Sequence, residues 1–267
     1  MKDTLSNVVS TSHHIVSIHG DKVYKRPRNN TPVALEEIAQ DYLYLSLIGY
    51  DVRMEDDILV MPFIGTPLDS IAPDMGPILQ AIEKAQQSLP LPASEKKIGS
   101  LVSSITKQKI RERLKGNDFQ LKERTSRAMK TAKKILNKRT PRVISHTDTH
   151  SKNFLKDKNG VIHLIDWESS IAGLKEFDLA VLHVYLIQEV AKGVIPQSTA
   201  DEIYENQLKP LIEDQEAYDA FMVFKLVRHL SWAYLELEND AFADAREEVV
   251  EMLVKMINDL MVPYQKN

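Results

Sequence analysis

The stretch that most constrains the fold is VISHTDTHSKNFLKDKNGVIHLIDWE, residues 143–168. Two short β-branched and aromatic runs flank Asn159-Gly160, a dipeptide suited to the tight turn of a β-hairpin because both central positions need positive φ. A polar loop, His146-Thr-Asp148-Thr-His150-Ser-Lys-Asn153, precedes the first run, and Asp166 follows the second. The hairpin therefore folds Asp166 back toward Asp148 and Asn153, and three oxygen-bearing side chains meet. Phosphoryl transfer needs such a set. One carboxylate orients an attacking hydroxyl and accepts its proton, while an amide oxygen and a second carboxylate suit Mg²⁺, which prefers hard oxygen ligands.

This island is set in a chain of changing character. Before residue 65 the pattern is mainly strands. HHIVSIH and KVYKR flank the turn signal Gly20-Asp21, and DVRMED and DILVMPFIG form a second pair. Between the pairs, Thr31 or Pro32 opens a helix whose apolar residues Leu35, Ile38, Tyr42, Leu45 and Ile48 recur at helical period until Gly49. Helical periodicity then runs over 68–89, 97–114 and 119–138, and again from Gly173 to the end. The expected architecture is α+β: a small β-rich lobe over residues 1–65 and a larger, mainly helical lobe over 66–267 that holds one inserted hairpin.

Composition excludes several classes. None of the 267 residues is cysteine, so thiolate nucleophiles, disulfides and Cys-ligated zinc are ruled out. No apolar run approaches the roughly 20 residues that span a bilayer, and MKDTLSNVVSTSHH lacks a signal-peptide core. The expectation is a cytoplasmic protein without membrane contact. The formal charge of -4 hides a split. Lys and Arg dominate from Lys107 to Arg142, whereas Asp and Glu dominate from Asp201 to Glu251. The basic run has one aromatic, Phe119, too few for base stacking, so no nucleic-acid partner is expected.

SHTDTHSKNFL followed by HLIDWESSIAG resembles the aminoglycoside phosphotransferase and choline kinase superfamily, small-molecule kinases with a two-lobed protein-kinase-like fold. Both His146 and His150 match its H-x-D-x-H-x-x-N pattern, and Glu176-Phe-Asp178-Leu-Ala resembles its Y-D-L-A element. The resemblance implies that Asp148 is the catalytic base, that Asn153 and Asp166 hold Mg²⁺, and that Asp178 braces the catalytic loop. His146 then fixes the loop and Trp167 packs, while Glu168 is left open between a structural residue and an additional metal or substrate contact. In this fold a strand lysine pairs with a helix glutamate to grip nucleotide phosphates. Lys25 fills the first role, and Glu37 or Glu36 the second. Met61, Pro62, Phe63 and Ile64 resemble the adenine-binding hinge.

The resemblance implies a kinase that uses ATP or GTP and acts on the hydroxyl of a small molecule. The acidic C-terminal helices would favour a cationic acceptor such as an aminoglycoside, choline or thiamine. Asp201, Glu205, Glu236 and Glu238 are candidate contacts, and Tyr185, Trp232 and Tyr234 a candidate aromatic box. One departure stands out: the nucleotide-loop stretch Leu5–His14 contains no glycine. Ser6, Ser10, Thr11 and Ser12 would have to cover the phosphates there. The same departure is what a catalytically silent, nucleotide-binding relative would show.

Overall fold

The computed structural model describes residues 8–10, 14–29, 31–91, 97–114, 119–236 and 243–265. The nucleotide-loop candidates Ser6, Thr11 and Ser12 lie outside them. The chain divides into two compact units, one formed by its first 90 residues with 146–171 and the other by 91–145 with 172–267.

The first unit begins with strands β1 (Val8–Ser10), β2 (His14–His19) and β3 (Lys22–Pro27). Helix α1 (Pro32–Leu47) follows, then β4 (Arg53–Glu55) and β5 (Ile58–Pro62). The strands form one antiparallel sheet in the order β1-β2-β3-β5-β4. Thr31 caps α1: its hydroxyl accepts the Ala34 N–H at 3.3 Å, while Pro32 sits where no amide donor is needed. Gly49 takes φ +95 just after the helix, a left-handed turn that glycine adopts without strain.

Past Gly65 come β6 (Thr66–Pro67) and α2 (Met75–Ser88). A Cβ on Gly65 would lie 2.2 Å from the Lys156 carbonyl oxygen, so only glycine allows this approach. The helix expected from residue 68 starts seven residues later. Leu68 instead donates its N–H to Ser151 and Phe154 carbonyls, and a short 3-10 turn, Ala72–Asp74, precedes α2.

The second unit contributes α3 (Ile98–Leu114), α4 (Phe119–Leu136) and β7 (Val143–Ser145). The chain then re-enters the first unit for β8 (Phe154–Lys156) and β9 (Ile162–Leu164), the expected hairpin. β8 also pairs with β6, and α2 packs on β9. These contacts attach 66–90 to the first unit, so the compact division differs from one at residue 65.

The second unit resumes within β10 (Ile171–Gly173), at residue 172, and continues with α5 (Lys175–Ala191), α6 (Gln197–Ile203), α7 (Gln215–Glu236) and α8 (Ala243–Met261). α7 is the central helix. Phe221, Val223, Phe224, Leu226, Val227 and Leu230 are fully buried all round its axis, and α3, α4, α5 and α8 pack against it. The charge split seen in sequence is partly neutralised here. Arg124 reaches Glu251 at 2.6 Å, and Arg139 grips Asp214 and Glu216, each at 2.7 Å. Among the described residues no helix is long and apolar enough to cross a membrane.

Candidate active site

The loop after β7 is held by its own histidine and threonine. His146 is fully buried; its Nε2 donates to the Ile165 carbonyl at 2.8 Å and its Nδ1 accepts the Asp148 N–H at 3.4 Å. Thr147 adopts φ 71, costly for a β-branched residue, and its hydroxyl donates to Ser169 O at 2.9 Å. Both anchors fasten the loop to the segment that carries Asp166. Asp166 itself takes φ 69. Two strained residues therefore flank the assembly, a pattern that concentrates at functional sites.

Asn153 ends the loop in a buried position. Its Nδ2 donates to the Asp148 carbonyl at 2.9 Å, which commits the amide nitrogen and turns the amide oxygen toward other use. The Asp148 carboxylate is part-exposed, with His150 Nε2 3.8 Å from its Oδ2. Trp167 is buried beneath, its ring meeting His146 edge-on at 4.8 Å and Tyr44 at 5.9 Å. It packs, as expected.

The Lys25 ammonium is the hub of the unit. Its Nζ donates to Asp41 at 2.6 Å, Asp166 at 2.5 Å and Glu168 at 2.7 Å. The helix carboxylate is thus Asp41, and the expectation of Glu36 or Glu37 is corrected. Glu36 is exposed, and Glu37 sits 3.5 Å from His14 Nε2. Asp41 lies one turn beyond Glu37, in register with buried Ala34, Ile38 and Leu45, so its side chain faces the sheet where theirs do. A charged residue on the buried stripe was the signal in the sequence. His14 was not anticipated. It is buried on β2, with Nδ1 3.2 Å from Glu168 Oε2.

Three carboxylates around one ammonium leave surplus negative charge, and burial makes that surplus expensive. Burial pushes the Asp41 carboxyl up against the opposing pull of Lys25. Burial, with help from Asp166, raises Glu168 to about 7. Burial would raise Asp166 as well, but the Lys25 charge and hydrogen bond outweigh it and hold Asp166 below its ordinary value. Burial works against the Lys25 ammonium, yet Asp41, Asp166 and Glu168 together raise its pKa well above normal. Asp41, Asp166 and Glu168 each offer an oxygen within 4.8 Å of the others. This oxygen-only set with excess negative charge fits a hard divalent cation.

At the end of β5, Val23 pairs with Met61, and Phe63 donates its N–H to Asp21 O at 2.7 Å. Antiparallel alternation turns the Pro62 carbonyl to the edge away from β3, and Ile64 follows just beyond the strand. Phe63 keeps an exposed ring, but its N–H is committed.

The model of a family described as "Phosphotransferase enzyme family" matches residues 32–249, most of the chain. The protein belongs to this phosphotransferase family. A search of curated proteins finds no match. Solved structures show the same fold at low identity. Choline kinase LicA from Streptococcus pneumoniae aligns with TM-score 0.59 and 20% identity over 95% of this chain and 94% of that one. An ethanolamine kinase of Plasmodium vivax gives TM-score 0.61 and 14% identity over 100% and 84%. A thermostable mutant of aminoglycoside phosphotransferase APH(4)-Ia gives 0.59 and 10% over 99% and 96%.

The acceptor candidates of this phosphotransferase fare differently from the loop residues. Asp201 and Glu205 are exposed and bound within their own helical turns, to Gln197 at 2.8 Å and Lys209 at 2.6 Å. Tyr185 already carries a cation, with Lys225 Nζ 4.6 Å from its ring centroid. The side chains of Trp232, Tyr234, Glu236 and Glu238 lie outside the described residues. Asp178 is buried in the first turn of α5. Nearby, the Glu176 carboxylate accepts the Glu213 and Asp214 N–H groups ahead of α7.

Proposed function

We propose that the protein is an ATP-dependent kinase that phosphorylates a hydroxyl of a small, cationic molecule. The observation that carries this is Lys25 bound to Asp166 at 2.5 Å, beside a loop in which His146 ties Asp148 and Asn153 to the same segment. A phosphate-gripping lysine, a cation-binding carboxylate and a candidate base lie in one compact unit.

In the proposed reaction Asp148 is the base. The acceptor hydroxyl oxygen bonds to the γ-phosphorus, its proton passes to the Asp148 carboxylate, and the bond to the β-phosphate oxygen breaks to release ADP. Lys25 would hold the phosphates once Mg-nucleotide competes for its carboxylates. Asn153 and Asp166 would hold Mg²⁺, which supplies charge neutralisation on the phosphates when bound. The outward edge of Pro62 and Ile64, with Met61 behind them, would take the adenine.

Two kinds of relative support the finer points. Structures of LicA with AMP and of a spectinomycin phosphotransferase with ADP and spectinomycin favour an adenine nucleotide over GTP as donor. Choline, ethanolamine and spectinomycin are all amine-bearing alcohols, which favours a cationic acceptor. An ATP-consuming enzyme of this kind suits the cytoplasm.

The test is an ATP-consumption screen with Mg²⁺ over choline, ethanolamine, aminoglycosides, thiamine and sugars, run beside Asp148→Asn. One acceptor should turn over, and the variant should lose about 10²–10⁴-fold in rate while still binding nucleotide. Nucleotide binding with no product from any acceptor would instead favour a silent binding protein.

A further inference from the structure

The basic helix α4 and the turn after it carry a row of cations that no ion pair among the described residues neutralises. Arg127, Lys130, Lys134 and Lys138 recur at i, i+3, i+7 and i+11 and are all exposed. Unlike Arg124 and Arg139, none of the four has an ion-pair partner among the described residues. They line a groove of about 610 Å³ with Glu216 and Tyr264. The one carboxylate there is spoken for, since Glu216 is held by Arg139 at 2.7 Å. Like charges three and four residues apart disfavour a helix by roughly 0.2–0.5 kcal/mol per pair. A second groove, about 460 Å³, runs along the other flank of α4 and adds Lys107, Arg111 and Lys133, with Lys130 on both.

The spacing limits the occupant. Within α4 the steps from Arg127 to Lys130 and from Lys130 to Lys134 rise about 4.5 and 6 Å along the axis, at 1.5 Å per residue, and Lys138 extends the row into the turn after the helix. That geometry suits a linear chain of negative charges rather than a single anion. Lysine binds phosphate as a point charge, without the planar match that favours carboxylates on arginine. Tyr264 is the one aromatic in the lining, and its hydroxyl is engaged with Asp219 at 2.7 Å. Successive bases would find a single ring rather than a row of stacking platforms.

We propose that the α4 groove is a binding site for a linear oligophosphate, either inorganic or the phosphate tail of a nucleotide. The site uses residues of the second unit alone and shares none with Lys25, Asp148 or Asp166. It therefore stands independently of the proposed kinase reaction.

The test is calorimetric titration with inorganic tripolyphosphate, with ATP and with a mixed-sequence RNA oligomer. Each is run on the wild-type chain and on a Lys130→Gln/Lys134→Gln variant, whose changes are exposed and leave the core intact. Wild type should bind tripolyphosphate, with affinity falling about tenfold or more between 50 and 200 mM salt as counterions compete. The variant should lose up to about tenfold, the sum of two exposed charge contacts. With ATP, a second binding event that weakens in the variant as tripolyphosphate does identifies a nucleotide tail as the source. ATP binding that is the same in both proteins, with tripolyphosphate still weakened in the variant, identifies the inorganic chain. The proposal is overturned if wild type ignores tripolyphosphate at millimolar concentration or if the variant binds it unchanged. It is also overturned if RNA binds far more tightly than tripolyphosphate and the variant loses it, because the occupant is then a nucleic acid.

Discussion

Lys25 Nζ lies 2.6 Å from Asp41 Oδ2, and both side chains are buried, so the pair that anchors the first unit is closed to solvent. Asp166 and Glu168 complete the cluster from the far side of the β8–β9 hairpin. Lys25→Met would leave three carboxylates facing one another. The expected loss is roughly 3–5 kcal/mol in urea unfolding at pH 7, the cost of stranding buried charge. Asp41→Asn removes one of the surplus charges and should cost clearly less. Glu36→Gln, on the exposed side of α1, should change nothing beyond about 0.5 kcal/mol. A Glu36→Gln variant as unstable as Asp41→Asn would show that the helix carboxylate has been misassigned.

The contact between His14 and Glu168 can be tested by coupling. His14 Nδ1 and Glu168 Oε2 are 3.2 Å apart and belong to a strand and a loop distant in sequence. Burial, reinforced by the Lys25 charge, lowers the His14 pKa, so the imidazole is neutral at pH 7. Glu168 is raised to about 7, so at that pH the ring faces a carboxyl that is protonated only in part. His14→Ala and Glu168→Gln should therefore be non-additive, with a coupling of about 0.5–3 kcal/mol in a double-mutant unfolding cycle. Strict additivity would make the contact incidental.

The arrangement of the loop was legible in the sequence because it depends on local order. His146, Asp148, Asn153 and Asp166 are joined by one hairpin, and Asn159-Gly160 announces it. The partner of Lys25 was not legible in that way. It depends on which face of α1 meets the sheet, and the stripe through Leu35 and Tyr42 pointed slightly off the one that is buried, through Ala34, Ile38 and Asp41. His14 was hidden because a histidine at a strand end carries no periodic signal. The charge split was visible, but its meaning was not, since Arg139 and Asp214 are far apart in sequence and meet only through packing. What looked like an acidic pocket is in part the neutralising partner of the basic helices.

That neutralisation has a measurable size. Asp214 accepts from Arg139 Nε at 2.7 Å and caps α7 by accepting the Ala217 N–H at 3.0 Å. The Arg139 hydrogen bond holds its carboxyl below the usual value. Asp214→Ala should cost about 1–3 kcal/mol, combining a lost cap with a lost charge-assisted bond. Glu205→Ala breaks only an exposed pair with Lys209 and should stay within about 0.5 kcal/mol. Equal losses in thermal or urea unfolding would mean that Asp214 is as peripheral as Glu205.

His183 gives the second unit a pH dependence of defined sign. Its ring stacks on Tyr204 at 4.4 Å, and its Nδ1 accepts from the Tyr218 hydroxyl at 2.5 Å. Burial lowers its pKa to about 4, and the nearby Asp201 charge opposes this only in part. The unfolded chain then takes up the proton first, near pH 6.5, while the folded protein resists until about pH 4. Stability from this residue is complete above pH 6.5 and is lost as the pH falls through that window, by on the order of 2–3 kcal/mol. Asp214 contributes loss of the same sign at lower pH, so the comparison must be with a variant that keeps it. His183→Phe preserves the stacking and removes the titration. It should start about 1 kcal/mol less stable at pH 7, having lost the Tyr218 bond, but fall less steeply between pH 6.5 and 4.5 in urea titrations. Parallel slopes for the two proteins would show that His183 takes up no proton on unfolding in that range.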